Sequence, residues 1–402
     1  MSDELQREEI EVPMPGMQTM TAATIAGAMT YGMTLALLGR LKLAGAQSVS
    51  AKDGSLRRWI PALNVMLIPL MLLSGVSLDI YGARPVLVAG SMMLASALVL
   101  LKPETSSSGW AGAITGWLVP MILAGAGAAA VGAASTVLMP YAFFVSEETS
   151  AGLNLGFVFL TLGALLTSVL ADILLLKIGL RRTLSLFALL SLTPAFLSAF
   201  PSTHWQIAEH PGNPSQLFAE PACWLAVLVF FFYVPLEAAV SMWTFKLLAE
   251  RGEDERVATG MLSGFWAAFM ASRLLAALAQ HMFFISDSWN CWLIVVAPLL
   301  SAVLLGNLAG AGQRGRPRGG LILLGLLLGP VLPTLLSLIF QAADEANGTS
   351  YGVVFAAGSL GTVLLTPLLT TRWRPTLQIP LRLPIYLAAL VTVLAMVMGL
   401  LF

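Results

Sequence analysis

The stretch SGVSLDIYGARPVL, residues 74–87, places Asp79, Gly82 and Arg84 between two long apolar runs. Each run is close to the roughly 20 residues that a membrane-spanning helix needs. The stretch therefore predicts a tight turn between two spans, in which Gly82 adopts a backbone conformation that other residues resist. Within such a turn, Asp79 can face the N-terminus of a helix or pair with Arg84.

The composition extends this interpretation to the whole chain. Of the 402 residues, 57% are hydrophobic and 10% are charged, whereas soluble domains carry roughly 25% charged residues. A water-soluble core cannot hide so much apolar surface, so we predict an all-α membrane protein with many spans. Residues 1–18 form an acidic, polar tail without the features of a signal peptide.

Twelve apolar runs predict twelve transmembrane helices. The longest polar interruption, residues 201–216, leaves six runs on each side. We therefore predict a bundle at 19–200, a central linker at 201–221 and a second bundle at 222–402. The runs lie near 19–44, 59–80, 86–102, 112–144, 154–176, 184–200, 222–247, 260–283, 290–309, 320–340, 353–371 and 383–402.

An internal repeat supports two pseudo-symmetric six-helix bundles. The segment 140–163 is echoed by 333–361: each has a proline, an acidic pair and a helix that carries Leu-Gly. Two halves related by a repeat are typical of secondary transporters, whose substrate site lies between the halves near the midplane.

The opening stretch resembles the G-x-x-x-D-x-x-G-R-[RK] signature of the major facilitator superfamily through Gly75, Asp79, Gly82 and Arg84, with Ala83 as a departure. The resemblance implies the major facilitator fold. In that family this loop latches the two halves together on the cytoplasmic side. We expect Asp79 to lie near Arg84 and near the N-terminal end of span 11, around Gly352–Phe355, because the repeat places those elements on one face. A capped helix end without a gating role is the alternative.

Four further stretches resemble the fucose-permease-like branch of that superfamily, in order and spacing. This resemblance implies a transporter. The chain departs from the branch at the positions that the branch uses to bind sugar and to couple transport to a proton. The usual acidic residue is missing from 21–39, and Phe157 and Leu160 replace polar residues. The stretches are 139–163, 231–243, 263–276 and 325–338.

Two ionisable residues lie near the middle of predicted spans, Glu237 in span 7 and Arg273 in span 8. Such a residue costs about 2.5–3.5 kcal/mol at the bilayer centre, so each is a candidate for function. Glu237 is either a substrate or proton site or half of a static pair with Arg273. Polar and aromatic residues that could complete a site for a hydroxylated solute are Tyr31, Asn64, Tyr141, Asn154, Tyr233, Trp243 and Trp266.

Lysine and arginine are unevenly divided between the two predicted faces. The face that holds the N-terminus carries only Arg7 and Arg84, and the other face carries fifteen basic residues. The positive-inside rule would place the N-terminus outside. The family resemblance places both termini in the cytoplasm, and we follow the resemblance, with the cell (inner) membrane as the expected location.

The resulting prediction is a secondary active transporter that moves a sugar-like or moderately hydrophobic organic solute by alternating access. Its expected partners are that solute, a proton or sodium ion and the bilayer. We expect a monomer that binds no nucleic acid, no metal and no cofactor and that is not an enzyme, because no catalytic or metal-ligand constellation appears. The alternatives are an efflux transporter of hydrophobic compounds and a non-transporting sensor or scaffold.

Overall fold

The chain is helical throughout the part that the structure, a computed structural model, describes: residues 15–48, 55–101, 118–143, 149–200, 221–250, 255–283, 287–310, 317–343, 347–370 and 379–400. The first seven helices are α1 (Pro15–Ser48), α2 (Ser55–Tyr81), α3 (Ala83–Leu100), α4 (Val119–Phe143), α5 (Thr149–Ile178), α6 (Leu180–Ser191) and α7 (Thr193–Ser198). The next seven are α8 (Pro221–Glu250), α9 (Glu255–Phe283), α10 (Asp287–Gly310), α11 (Pro317–Leu328), α12 (Val331–Ala342), α13 (Gly348–Thr370) and α14 (Ile379–Gly399).

These helices confirm the predicted all-α membrane fold. Eleven spans among the described residues are long and apolar enough to cross a membrane, and Val65–Tyr81 in α2 is a shorter apolar helix. Two of the eleven consist of a pair of helices, α6 with α7 and α11 with α12. The chain is therefore a multi-pass membrane protein.

The helices fall into two sets along the chain, α1–α7 and α8–α14, which we call the first and second bundle. The predicted linker between them, 201–221, lies almost wholly outside the described residues, as does most of the acidic tail. The bundles meet along two seams, where α2 packs on α13 and where α5 packs on α9 and α12. The repeated segments occupy equivalent places, at the α4–α5 and α12–α13 junctions, although their acidic pairs are not described.

The turn between α2 and α3 has the predicted backbone. Gly82 has a φ of 82°, in the left-handed region that favours glycine. Its N–H donates to the carbonyl of Leu78 at 2.8 Å, which closes α2, and α3 begins at the next residue. Gly179 repeats this arrangement before α6 with a φ of 78°. The glycine of the opening stretch thus allows α2 and α3 to follow each other without a loop.

Span 6 is broken where proline interrupts it. Pro194 lacks the N–H that would bond the carbonyl of Leu190 in a continuous helix. The Thr193 hydroxyl donates to that carbonyl at 2.7 Å instead, so the Leu190 carbonyl keeps a hydrogen-bond donor within the membrane. The single predicted span 184–200 is therefore two helices, α6 and α7.

Span 10 is broken in the same way between α11 and α12, at Gly329 and Pro330. Pro333 has no N–H to donate to the carbonyl of Gly329, one helical turn earlier. The break therefore presents backbone carbonyls in the interior of the protein. Such irregular backbone is tolerated at membrane depth only where other protein groups satisfy it.

Candidate functional site

The α2–α13 seam is a close approach of two glycine-bearing helices. A Cβ atom built on Gly75 would lie 2.2 Å from the carbonyl oxygen of Gly348 and 3.0 Å from the Cα of Gly352. Any side chain at Gly75 would therefore push the two bundles apart. The first glycine of the signature is required here by contact with the opposite bundle.

Asp79 caps α13 from the other bundle. Its Oδ1 accepts a hydrogen bond from the N–H of Gly348 at 2.7 Å, and its Oδ2 accepts one from the N–H of Thr349 at 2.7 Å. The Thr349 hydroxyl also donates to Oδ2. The first N–H groups of a helix have no partner within it, and a carboxylate there also interacts favourably with the helix dipole. The predicted position of Asp79 at the N-terminus of span 11 is confirmed.

The cap contacts an earlier part of span 11 than the predicted Gly352–Phe355 region. Helix α13 begins at Gly348, five residues before the predicted start at 353. The extra turn is polar, so hydropathy excluded it, but Asn347 stabilises it by accepting a hydrogen bond from the Ser350 N–H at 2.7 Å.

Arg84 stays within the first bundle and does not make the predicted pair with Asp79. Its Nε donates to the carbonyl of Ser198 at 2.7 Å and its Nη2 to that of Ala199 at 3.2 Å. These carbonyls lie at the C-terminal end of α7, where a cation complements the helix dipole. The two charges of the signature thus bind opposite ends of two different helices.

The predicted contact between Glu237 and Arg273 is present. Glu237 Oε1 lies 4.0 Å from Arg273 Nη2, at the outer limit of an ion pair. The Arg273 side chain is 4% exposed and that of Glu237 is 18% exposed. The guanidinium is therefore sealed inside the protein, and the Glu237 side chain is the more exposed partner, although its Oε1, which faces Arg273, is buried.

Arg273 is bound by groups from both bundles. Its Nε donates to the carbonyl of Gly329 at 2.9 Å, at the break in span 10. Its Nη1 donates to Thr161 Oγ1 at 2.8 Å and approaches the carbonyl of Phe157 at 3.4 Å, both on α5 of the first bundle. A buried charge persists only when its donors are satisfied. These acceptors bind Nε and Nη1, and Nη2 faces Glu237 at 4.0 Å.

Aromatic rings enclose the guanidinium of Arg273. Its Cζ lies 4.3 Å from the ring centroid of Phe269 and 5.2 Å from that of Phe157. Both distances are within the range of cation–π attraction. Trp266 packs edge-on against Phe269, with centroids 5.2 Å apart, so this predicted tryptophan is one ring removed from the ion pair.

Tyr233 uses the break in span 10 as Arg273 does. Its hydroxyl, fully buried, donates to the carbonyl of Leu328, the last residue of α11. Tyr233 lies one helical turn before Glu237 on α8. The break therefore binds both α8 and α9, and it sets the position of the ion pair.

A second polar cluster joins the bundles at the α5–α9 seam. Asn154 Nδ2 donates to Gln280 Oε1 at 3.0 Å and to Thr334 Oγ1 at 3.2 Å. Gln280 Nε2 in turn donates to Asn290 Oδ1 at 3.1 Å. All four side chains are buried. Asn154 is part of an amide cluster that joins the bundles, and its contribution to a solute site stays a prediction.

Of the remaining predicted residues that the structure describes, one lies at the interface between the bundles and two pack against the hydrophobic core. Tyr31 of the first bundle and Tyr351 of the second meet at Gly132, where a built Cβ would lie 2.9 Å from each. Tyr141 and Trp266 are half-buried and pack against the core. The side chains of Asn64 and Trp243 lie outside the part of the structure that is described.

The inter-bundle hydrogen bonds of Asp79, Asn154 and Arg273 lie in one half of the molecule. That half contains the end of α2, the start of α5 and the start of α13, and we call its outer surface the N-terminal face because α1 begins there. These bonds join the bundles at the N-terminal face.

Solved structures show which fold this is. Two structures of FucP, the Escherichia coli fucose:proton symporter, one of them in the outward conformation, match with TM-scores of 0.73 and 0.70. They are 16% and 18% identical, and each match covers 94% of this chain and 98% of the other. The fold is that of the major facilitator superfamily.

Two other structures with the major facilitator fold match over nearly the full length. A proton:xylose symporter is 14% identical, with a TM-score of 0.72 and coverage of 96% of this chain and 94% of the other. The human organic anion transporter MFSD10 is 16% identical, with a TM-score of 0.64 and 96% coverage of both chains. No protein-family model and no curated protein sequence matches the chain.

Sequence reasoning missed several residues that join the halves of this major facilitator fold. Gln280 is the fourth residue from the end of its predicted span, and Thr161 and Thr334 are of a type that is common in apolar helices. The available signal was weak: amides and hydroxyls inside spans bind neighbouring helices. Among the described residues, no group of three His, Cys, Asp or Glu side chains could hold a metal ion.

Proposed function

We propose that the protein is a secondary active transporter that moves a small organic solute by alternating access between its two bundles. The observation that carries this proposal is the buried Glu237–Arg273 pair at the bundle interface, bound by the carbonyl of Gly329 in a broken helix. Ionisable groups and discontinuous helices at membrane depth are features of transport sites. A scaffold does not need ionisable groups buried at the interface between its bundles.

The closed N-terminal face supports an outward-facing state. With both termini in the cytoplasm, as the family resemblance implies, the closed face is the cytoplasmic one, and the solute would then enter from the other side. Asp79 on α13, the amide cluster of Asn154 and the Arg273–Thr161 contact are then the bonds that must break for the solute to leave on the cytoplasmic side.

The exposure of the pair favours a hydroxylated, uncharged solute. A solute meets the carboxylate of Glu237 before the sealed guanidinium of Arg273, since the side-chain exposures are 18% and 4%. A carboxylate only accepts hydrogen bonds, so it binds hydroxyl groups and repels anions. The fucose and xylose carriers that share this fold agree with such a solute. Phe157 and Leu160, where the branch has polar residues, favour a hydrophobic efflux substrate as the second candidate.

A proton on Glu237 is the proposed coupling event. Glu237, the more exposed partner, is the one that takes up the proton, and its contact with Arg273 then weakens because one charge is gone. Solute and proton would be carried together as a symport. Sodium coupling is less well supported, because Glu237 is the single carboxylate among the described residues of this site.

A thermal-shift panel followed by uptake tests the function. Purified protein is screened with L-fucose, D-xylose, benzoate and rhodamine 6G, and the stabilising compound is then followed into proteoliposomes. We expect a sugar to raise the melting temperature and to accumulate when the interior is alkaline. Stabilisation and export of rhodamine 6G would favour efflux instead. No stabilisation and no flux for any broadened set of sugars, acids and dyes would favour the scaffold.

A further inference from the structure

We infer that Thr161 is a positioning residue that binds Arg273 to the first bundle. It thereby sets the fraction of molecules that are closed at the N-terminal face. The inference rests on the proposed two-state cycle, but not on the identity of the solute. It concerns a residue that carries no charge and that the sequence did not single out.

The Thr161 hydroxyl is oriented to accept the guanidinium. Its proton is committed to the carbonyl of Phe157, to which it donates at 2.8 Å. Its lone pairs are therefore left to accept the hydrogen bond from Arg273 Nη1, at 2.8 Å. Thr161 is 5% exposed and Arg273 is 3% exposed, so water does not compete for this bond.

The bond lies near the middle of α5, deeper in the protein than the amide cluster. Thr161 is twelve residues after the start of α5, which is about 18 Å along the helix at 1.5 Å per residue. Asn154, which anchors the amide cluster, lies two turns closer to the N-terminal face. The Thr161–Arg273 bond thus lies deeper than the hydrogen bonds of the amide cluster.

Arg273 belongs to the second bundle by its other contacts. Gly329 and Glu237, which bind Nε and Nη2, are both on that side. When the bundles part at the N-terminal face, Arg273 moves with the second bundle and loses its hydrogen bonds to Thr161 and to the carbonyl of Phe157. The bond therefore exists in the closed state and not in the open one, which is the differential contact that a conformational equilibrium requires.

The test measures closure directly and needs no solute. Leu78, buried beside Gly348 at the α2–α13 seam, is replaced by cysteine in a variant whose Cys223 and Cys291 are alanine, and its labelling by N-ethylmaleimide is timed. Thr161→Val keeps the shape but removes the acceptor. We expect its labelling to be faster by roughly fivefold or more, in line with the loss of a hydrogen bond to a charged group.

Two matched variants separate positioning from general damage. Thr161→Ser retains the hydroxyl and should label at the wild-type rate. Thr167→Val makes the same change at another buried threonine of α5, for which no hydrogen bond to the second bundle is found among the described residues, and it should also label at the wild-type rate. Thermal unfolding of each variant is followed in parallel.

The inference is overturned if Thr161→Val labels at the wild-type rate, or if Thr167→Val accelerates labelling equally. Faster labelling in Thr161→Ser would also overturn it, because the hydroxyl would then not be the cause. Should Thr161→Val not fold, Thr161→Ala removes the same acceptor and is judged by the same criteria. If no compound of the solute panel stabilises the protein or is transported, that result contradicts the proposed transport function. It leaves the inferred role of the Thr161–Arg273 hydrogen bond unaffected.

Discussion

At the scale of single residues, the two charges of the opening stretch have separate tasks. Asp79 binds the first turn of α13 in the opposite bundle, and Arg84 binds the last carbonyls of α7 in its own bundle. The first contact must break when the N-terminal face opens, and the second can persist through the whole cycle. Asp79 is therefore the candidate gating residue, and Arg84 stabilises the first bundle in every state.

Asp79→Asn should loosen the closed state. The amide keeps one acceptor but loses the charge that faces the α13 N-terminus, which is worth about 0.3–1 kcal/mol from the helix dipole alone. We expect the Leu78→Cys reporter to label about two to five times faster. Arg84→Gln is the matched control: it should lower thermal stability without faster labelling. Equal labelling in both variants would reduce the signature to a pair of helix caps.

Glu237→Gln should separate the two roles left open for the ion pair. If Glu237 carries the coupling proton, the variant loses uphill uptake but keeps solute exchange, because exchange needs no net change in protonation. If the pair is only structural, the variant unfolds at a lower temperature, since it leaves the charge of Arg273 buried without its counter-charge.

The double variant Glu237→Gln with Arg273→Met completes that test. Removing both charges should recover part of any lost stability, because a lone buried charge costs more than none. Wild-type uphill uptake by Glu237→Gln would exclude the carboxylate as the coupling site. A double variant less stable than either single one would show that the guanidinium contributes through Gly329 and Thr161 more than through Glu237.

At the scale of helices, the break in span 10 positions the site. Gly329 is the point of contact: a built Cβ would lie 2.1 Å from Ser272 Oγ and 2.5 Å from the carbonyl oxygen of Phe269. The glycine lets α11 and α12 approach α9 closely enough for Arg273 to reach the freed carbonyl. The same carbonyl would be occupied within the helix if residue 333 were not proline.

Gly329→Ala should therefore destabilise the protein by about 1–3 kcal/mol, the usual cost of overpacking, and should weaken the Arg273–Gly329 bond. Gly306→Ala in α10 is the matched control, because nothing lies within 4 Å of its built Cβ. That control should be neutral or gain up to about 1 kcal/mol. Thermal unfolding measures both. A neutral Gly329→Ala would mean that the α9–α11 contact is looser than the structure shows.

The elements that sequence could predict are those that depend on local pattern. Apolar length predicted the spans, and the glycine before α3 predicted its turn, because both are properties of neighbouring residues. The signal for the break was present in GPVLP, residues 329–333, but hydropathy treats this stretch as continuous. The partners of Arg84 and Asn154 could not be predicted, because they come from helices more than a hundred residues away.

At the scale of the whole molecule, the two seams act together. Asp79 closes the α2–α13 seam, and the amide cluster with the Arg273–Thr161 bond closes the α5–α9 seam. All these bonds lie in the half nearer the N-terminal face, so rocking about the middle of the membrane would break them as a set. The orientation of that face stays a prediction, since the basic residues of the sequence and the family resemblance point to opposite sides.

A covalent lock across the N-terminal face tests alternating access most directly. Asp79→Cys and Thr349→Cys place two thiols where a carboxylate and a hydroxyl now share a hydrogen bond, in a variant without Cys223 and Cys291. Uptake of the compound selected by the thermal-shift panel is measured after oxidation and again after dithiothreitol. The account predicts that the disulfide forms, that it abolishes uptake, and that reduction restores uptake to the level of the Asp79→Cys variant. Undiminished uptake with the disulfide complete would contradict it.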